Sequence, residues 1–348
     1  MDSACQTIHN RNTNRMRHLF FGQLRVNGTI CWRGMGIVVS ATMLGLLSIP
    51  CVFGEVVQDR HVRDGTASVS VVEQPRTNGD EPSGKRSLQA TVNGNVSTKP
   101  HLPNIVLILA DDLGYCELGC YGQQMIRTPN LDRMAAEGMR FTQFYAGAPV
   151  CAPSRCVLMT GKHLGHAAIR DNSEVQPEGQ WPLPAEEITI AEILKSQGYA
   201  TAAIGKWGLG PPRSSGDPNS QGVDLFFGYN CQRHAHNHYP SWLYRNHERI
   251  SLNNPEFSAH QRFPSDADPN DRKSYAQYVG QDYAPDRTLA EALDFIQKNR
   301  TRPFFLYYAT TMPHLALQVP EDSLQAYLGR FPETPYLGDR GYLPCFAP

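Results

Sequence analysis

Asn104-Ile105-Val106-Leu107-Ile108-Leu109-Ala110 is followed at once by Asp111-Asp112-Leu113-Gly114. A short apolar run with no polar alternation is the pattern of a strand covered on both faces, as in a parallel sheet. Working outward, Thr128-Pro129 supplies an N-cap and a first-turn proline, and Gly138 a stop, which predicts a helix between them. Arg140 to Ala146 reads as a second strand. Pro184 to Gln197 reads as a helix with Ile188, Ala191 and Leu194 or Ile193 on one face and Gly198 as its stop. Tyr199 to Ile204 reads as a third strand. Arg287 to Asn299 places Leu289, Leu293 and Ile296 at helical spacing, and Pro303 to Thr310 is another buried strand. Residues 211 to 284, rich in Pro, Asn, His and Asp with weak periodicity, read as an elaborated loop region. Strands alternating with helices predict an α/β fold, a mainly parallel sheet covered by helices on both faces.

The folded domain is expected over residues 103–348, because what precedes it has a different character. Arg11, Arg15, Arg17, Arg25 and Arg33 stand against one acid, Asp2, and Gly36 to Ile49 is an apolar run closed by Pro50. A basic segment followed by such a run reads as an export signal over residues 1–54, cleaved after Gly54; a membrane anchor is the alternative. The run is shorter than the roughly 20 residues of a spanning helix. Residues 55–102, rich in Ser, Thr, Asn, Gly and charge, read as a flexible linker.

Composition excludes several classes. With 348 residues, 41% of them hydrophobic, the chain is neither wholly disordered nor collagen-like nor a multi-span membrane protein. Lys and Arg total 32 against 33 Asp and Glu, so no bulk charge supports nucleic-acid binding. Nine cysteines are too few for a disulfide scaffold of this length.

In parallel sheets ligands gather beyond the carboxyl ends of the strands. Four polar groups are expected there: Asp111-Asp112, Cys151, Lys206 and His314, each after an apolar stretch. Two adjacent carboxylates repel unless a cation or protons neutralise them, and hard oxygens suit Ca²⁺ or Mg²⁺; Asp-Asp-Leu-Gly is also good turn chemistry. Cys151 opens Cys151-Ala152-Pro153-Ser154-Arg155, where Pro153 fits a first helical turn and puts Cys151 near the positive helix end. A core or disulfide cysteine is the alternative, with Cys116, Cys120, Cys156 and Cys231 as partners, or a zinc site pairing Cys116-x3-Cys120 with Cys151-x4-Cys156. Lys206, between Gly205 and Trp207-Gly208, could hold an anionic oxygen or be a solvated charge. His314 is a site group or an ordinary histidine, and His234, His236 and His238 are metal ligands or a solvated loop. Trp242, Tyr229 and Tyr239 could stack on a sugar or aryl ring, or pack in the core.

Together these segments resemble the sulfatases, arylsulfatase-like and formylglycine-dependent members of the alkaline-phosphatase-like superfamily. Cys151-Ala152-Pro153-Ser154-Arg155 with Leu158-Met159-Thr160-Gly161-Lys162 resembles the family signature, and Asn104 to Asp112 with Gly114 its metal strand. Gly205-Lys206-Trp207 and Pro313-His314 are similar to two further motifs in the same order. The resemblance implies that Cys151 is oxidised to formylglycine, whose hydrated aldehyde is the nucleophile. Pro153 and Arg155 would be needed by the maturation enzyme, and Arg155 would also hold the formylglycine. Asp111 and Asp112, with the converted Cys151, would bind Ca²⁺, with Mg²⁺ the lesser choice. Lys206 and His314 would contact the sulfate or the leaving oxygen, His314 as candidate general acid. The substrate would be a sulfated small molecule or carbohydrate; a phosphate or phosphonate ester, or a non-catalytic relic, are the alternatives.

Two departures from the pattern matter. Many sulfatases have His where this chain has Gly208, and that His is the base of the collapse step; His163 or His166 is expected to take its place. The family also has a later Asp-Asn metal pair, a further lysine and a smaller carboxyl-terminal subdomain. Nothing after residue 315 matches these, and Asp171-Asn172 lies early. The sequence therefore predicts an incomplete catalytic domain, weak metal binding and impaired activity.

Overall fold

The computed structural model describes residues 102–332, 334–338 and 344–347, and the backbone of 37–40. In chain order its principal elements are β1 (Ile37–Ser40), β2 (Ile105–Leu109), α1 (Pro129–Glu137), α2 (Cys151–Thr160), α3 (Ile190–Ser196), β3 (Ala200–Lys206), β4 (Leu225–Tyr229), β5 (Trp242–Arg245), β6 (Glu248–Ser251), α4 (Ala284–Asn299) and β7 (Phe304–Ala309). One sheet takes seven of the strands in the order β1-β2-β7-β3-β4-β5-β6. Its centre is parallel: β7 lies between β2 and β3, and β3 pairs in parallel with β4. The outer strands β1, β5 and β6 are antiparallel.

The aliphatic run of β2 is buried as its composition requires. Leu107 and Leu109 point into a core shared with Ala152, Cys156 and Met159 of α2, Ala191 of α3, and Phe305 and Tyr307 of β7. The other face is closed by Ala284, Ala292 and Phe295 of α4 against Ala202 and Ile204 of β3 and Leu306 of β7. Helices thus cover both faces of the sheet. Each fully buried large apolar side chain contributes roughly 1.5–3 kcal/mol.

The register positions the site. Leu109 pairs with Ala309, and Ala309 with Gly205, so the carboxyl ends of β2, β7 and β3 are level. Gly205 is required there: its φ is +109°, and a Cβ would lie 2.0 Å from the Ala309 carbonyl oxygen. Just beyond, Asp111 N donates to Met312 O at 3.0 Å, tying the two strand exits together.

Several expectations are corrected. Arg140 to Ala146 forms no strand; Phe141, Phe144 and Tyr145 stand more than half exposed. The region read as loop contributes β4, β5 and β6, since Leu225-Phe226-Phe227 and Trp242-Leu243-Tyr244 are apolar enough to join the sheet. The helix predicted from Pro184 begins at Ile190, where Thr189 and Glu192 form a reciprocal capping box. On α4 the buried positions include Thr288, Ala292, Phe295 and Asn299, while Leu289 and Leu293 face outward. Tyr229 and Tyr239 are core residues, and His236 and His238 are buried, so this segment is no solvated loop. Among the described residues no helix is long and apolar enough to cross a membrane. The export-signal reading (residues 1–54) lies outside the described residues except for the β1 backbone, and the linker reading (55–102) except for Leu102.

Candidate active site

Asp111 leaves β2 and is fully buried. Its Oδ2 accepts from Lys206 Nζ at 2.7 Å, and its Oδ1 from Arg155 Nη2 at 3.2 Å. Burial alone would raise this carboxyl, but the two cations, Lys206 foremost, hold it far below the usual carboxylate range. Arg155 rises from α2 with its guanidinium completely enclosed. It donates to the Lys206 carbonyl and, at 3.4 Å, to the Tyr307 hydroxyl. Burial works against its charge, yet Tyr307 and Asp111 push the Arg155 pKa above its ordinary value.

Cys151 is the first residue of α2, and Asn172 Oδ1 accepts from the neighbouring Ala152 N at 2.9 Å. Lys206 Nζ lies 3.4 Å from the Cys151 sulfur. Burial pushes the thiol up, but Lys206 and a hydrogen bond from His314 outweigh it and lower its pKa. His314 moves the opposite way: burial lowers it, and the Cys151 hydrogen bond with the Asp111 and Asp112 carboxylates raises it above the usual imidazole value. His314 Nε2 is 3.3 Å from Asp112 Oδ2, and Asp112 adopts a φ of +60° that turns its half-exposed carboxylate there. Asp111, Asp112, Cys151, Arg155, Lys206 and His314 therefore form one cluster; Asp111, Lys206 and His314 come from strand ends as expected, whereas Cys151 and Arg155 come from α2, since no strand precedes it.

His163 and His166 do not join it. They are exposed beyond the carboxyl end of α2. Among the described residues Cys120, Cys151, Cys156 and Cys231 form no disulfide, and Cys151 groups with Asp111 and His314 rather than with another cysteine. Tyr307 was passed over in the sequence because it sits inside an apolar run, and His236, read there as a metal ligand or part of a solvated loop, is instead buried beside the cluster.

One ligand atom each from Asp111, Cys151 and His314 lies within 4.8 Å of the others. The adjacent carboxylates fit a hard divalent cation as donors, and oxidation of Cys151 would replace sulfur by oxygen at the third position. Two carboxylates and one such group are fewer than the about 6 to 8 oxygens Ca²⁺ takes, so water would complete the shell.

Residues 103–338 match the family model described as sulfatase. The chain belongs to the sulfatase family. It is 37% identical over 251 residues to N-acetylgalactosamine-6-sulfatase of Sus scrofa, covering 67% of this chain and 43% of that protein. It is 48% identical over 127 residues to human arylsulfatase A, covering 36% of this chain and 25% of that protein. The chain thus spans less than half the length of these curated sulfatases. Among solved structures, Ps i-CgsB aligns with a TM-score of 0.51 at 26% identity, covering 64% of this chain and 48% of that one. A protein solved with its substrate D-glucosamine-2-N,6-O-disulfate aligns at 0.50 and 26% identity, covering 67% and 39%. The sulfatase core seen here is mainly parallel and helix-covered, in keeping with that fold.

Proposed function

We propose that this site hydrolyses sulfate esters, with Cys151 as the precursor of a formylglycine and with Ca²⁺, Mg²⁺ the lesser alternative, held by Asp111 and Asp112. The observation that carries the reading is the buried meeting of Cys151, Lys206, Asp111 and His314 beyond the level ends of three parallel strands. A formylglycine hydrate would supply two hydroxyls on one carbon, one to attack sulfur and one whose deprotonation returns the aldehyde and releases sulfate; serine has only the first. A divalent cation would screen the negative sulfate oxygens from that nucleophile.

The chain's own residues do the remaining work. Lys206 places an ammonium 3.4 Å from the Cys151 sulfur, beside the position of the attacking atom, and stabilises charge building on the sulfate oxygens. His314, with Nε2 3.3 Å from Asp112 Oδ2 and facing the Cys151 position, is placed to give a proton to the departing alcohol oxygen. Arg155 fixes Asp111 through Nη2 and spans from it to Tyr307, keeping the carboxylate oriented. Burial of Asp111, Cys151, Arg155, Lys206 and His314 keeps bulk water from that part of the cluster and strengthens the interactions among them.

The relatives named as N-acetylgalactosamine-6-sulfatases, and the neighbour whose substrate is a disulfated glucosamine, favour a sulfated carbohydrate as substrate. Residues 211–284 would shape its pocket. The same reading makes a formylglycine-generating enzyme a partner and export through residues 1–54 the route out of the cell. The test is the mass of the Cys151 peptide from the full chain co-produced with such an enzyme. Aldehyde in place of thiol is expected; an unconverted thiol or a disulfide, with a known sulfatase converted in parallel, contradicts the reading.

A further inference from the structure

Position 208 holds no imidazole in this chain, and its neighbourhood leaves no space for one. Gly208 has a φ of +73°, and a Cβ there would lie 1.8 Å from Gln232 Nε2. Gln232 is almost wholly buried, and its Nε2 donates to Gly208 O at 3.4 Å, so the carboxamide fills the space a longer residue would need. A second imidazole nevertheless reaches the cluster from another element. His236 closes the short turn His234–His236 after β4, is buried, and lays its ring on that of His314. The two ring centroids are 4.6 Å apart and the planes differ by 5°. His236 Nδ1 is in turn 2.7 Å from His260 Nε2, and His260 lies half-buried toward the surface.

We propose that His236 is a positioning residue for His314, itself held by His260; the inference rests on the sulfate-ester reading of the site. The physical argument is geometric. His314 must keep Nε2 toward Asp112 and the Cys151 position; its Nδ1 contact with the Leu315 carbonyl holds one edge of the ring, but neither contact covers its face. A flat ring stacked on that face limits its remaining movement and keeps water off it. The hydrogen bond to His260 fixes the plane of His236.

The test uses the full, converted chain with His236→Ala, His236→Phe and His260→Ala, read by nitrophenyl sulfate kinetics and by the ring-proton resonances of His314 in histidine-labelled protein. His236→Ala is expected to lower kcat about 30-fold with KM within about twofold, since a misplaced catalytic group can cost 10²-fold. His236→Phe, which keeps a flat ring, should recover at least about fivefold of that loss, and His260→Ala should lower kcat about threefold to tenfold. The His314 resonances should lose their ring-current shift in the Ala variant and keep most of it in the Phe variant. A rise in KM at constant kcat, a Phe variant no better than Ala, or unmoved His314 resonances would overturn the proposal. If the parent turns over no sulfate ester, the sulfate reading fails by itself, and the resonances alone decide the stacking claim. If His236→Ala does not fold, His260→Ala and His236→Phe decide it by the same two readouts.

Discussion

His238 is enclosed on every side at the level of a single residue. Its backbone N donates to Gln318 Oε1 at 2.7 Å, Nδ1 lies 3.2 Å from Gln318 O, and its buried Nε2 has no hydrogen-bond partner. Burial, with the positive charges of His314 and Lys206 adding to it, lowers its pKa from 6.5 to about 4, against the opposing hydrogen bond to Gln318. In the window from about 6.5 down to about 4, the unfolded chain binds a proton that the folded chain refuses, so stability falls as pH falls. Below that window both states are protonated and this contribution is gone. His234 and His236 are depressed in the same direction, so the slope is shared. Urea midpoints from pH 7 to 4.5 should decline for the parent, and a His238→Asn variant should show a slope shallower by up to one proton, about 1.4 kcal/mol per pH unit. Parallel slopes would contradict this account of His238. The main charged groups of the site were legible residue by residue because Asp111, Lys206 and His314 each follow an apolar run that could only be a strand. His236 was not, because nothing local to a polar stretch tells a histidine packed against another ring from one in water.

Elements decide where such residues end up. Helix α2 begins with Cys151 and buries Cys151 through Cys156, while His163 and His166 stand exposed past its other end. The sequence motif marked the helix start well; it could not show which downstream histidine returns. Between β3 and the turn after β4, Gly208 and Gln232 behave as a coupled pair, the small residue being the condition for the large one. Gly208→Ala should cost about 2 kcal/mol from the positive φ and the collision together. In a Gln232→Ala background the collision is absent, and the cost should fall by at least about 1 kcal/mol in a double-mutant cycle of unfolding free energies. Additive costs would show that the two positions are independent. The misreadings at this scale share one cause. Arg140–Ala146 has the apolar content of a strand but no neighbour to pair with, and β5 and β6 have few residues but a ready edge at β4. Pairing is a property of the partner as much as of the segment.

At the scale of the whole molecule, a mainly parallel sheet turns residues far apart in sequence into one buried cluster. Asp111 and Lys206 are 95 positions apart and Arg155 and Tyr307 are 152, yet each pair is in hydrogen-bond range. This architecture was readable in advance from uninterrupted aliphatic runs alternating with capped helices, and it placed the active-site candidate before any side-chain position was known. The central proposal joins that geometry to membership of the sulfatase family, assigning sulfate-ester cleavage to the cluster around Cys151. Its most direct test is steady-state turnover of nitrophenyl sulfate and nitrophenyl phosphate, with Ca²⁺ present, by the full chain converted at Cys151 and by Cys151→Ala. Slow turnover, in keeping with the sparse metal shell, that prefers the sulfate and is lost in Cys151→Ala is the expected result. A fully converted protein that leaves the sulfate intact, or a Cys151→Ala variant as active as the parent, would contradict it.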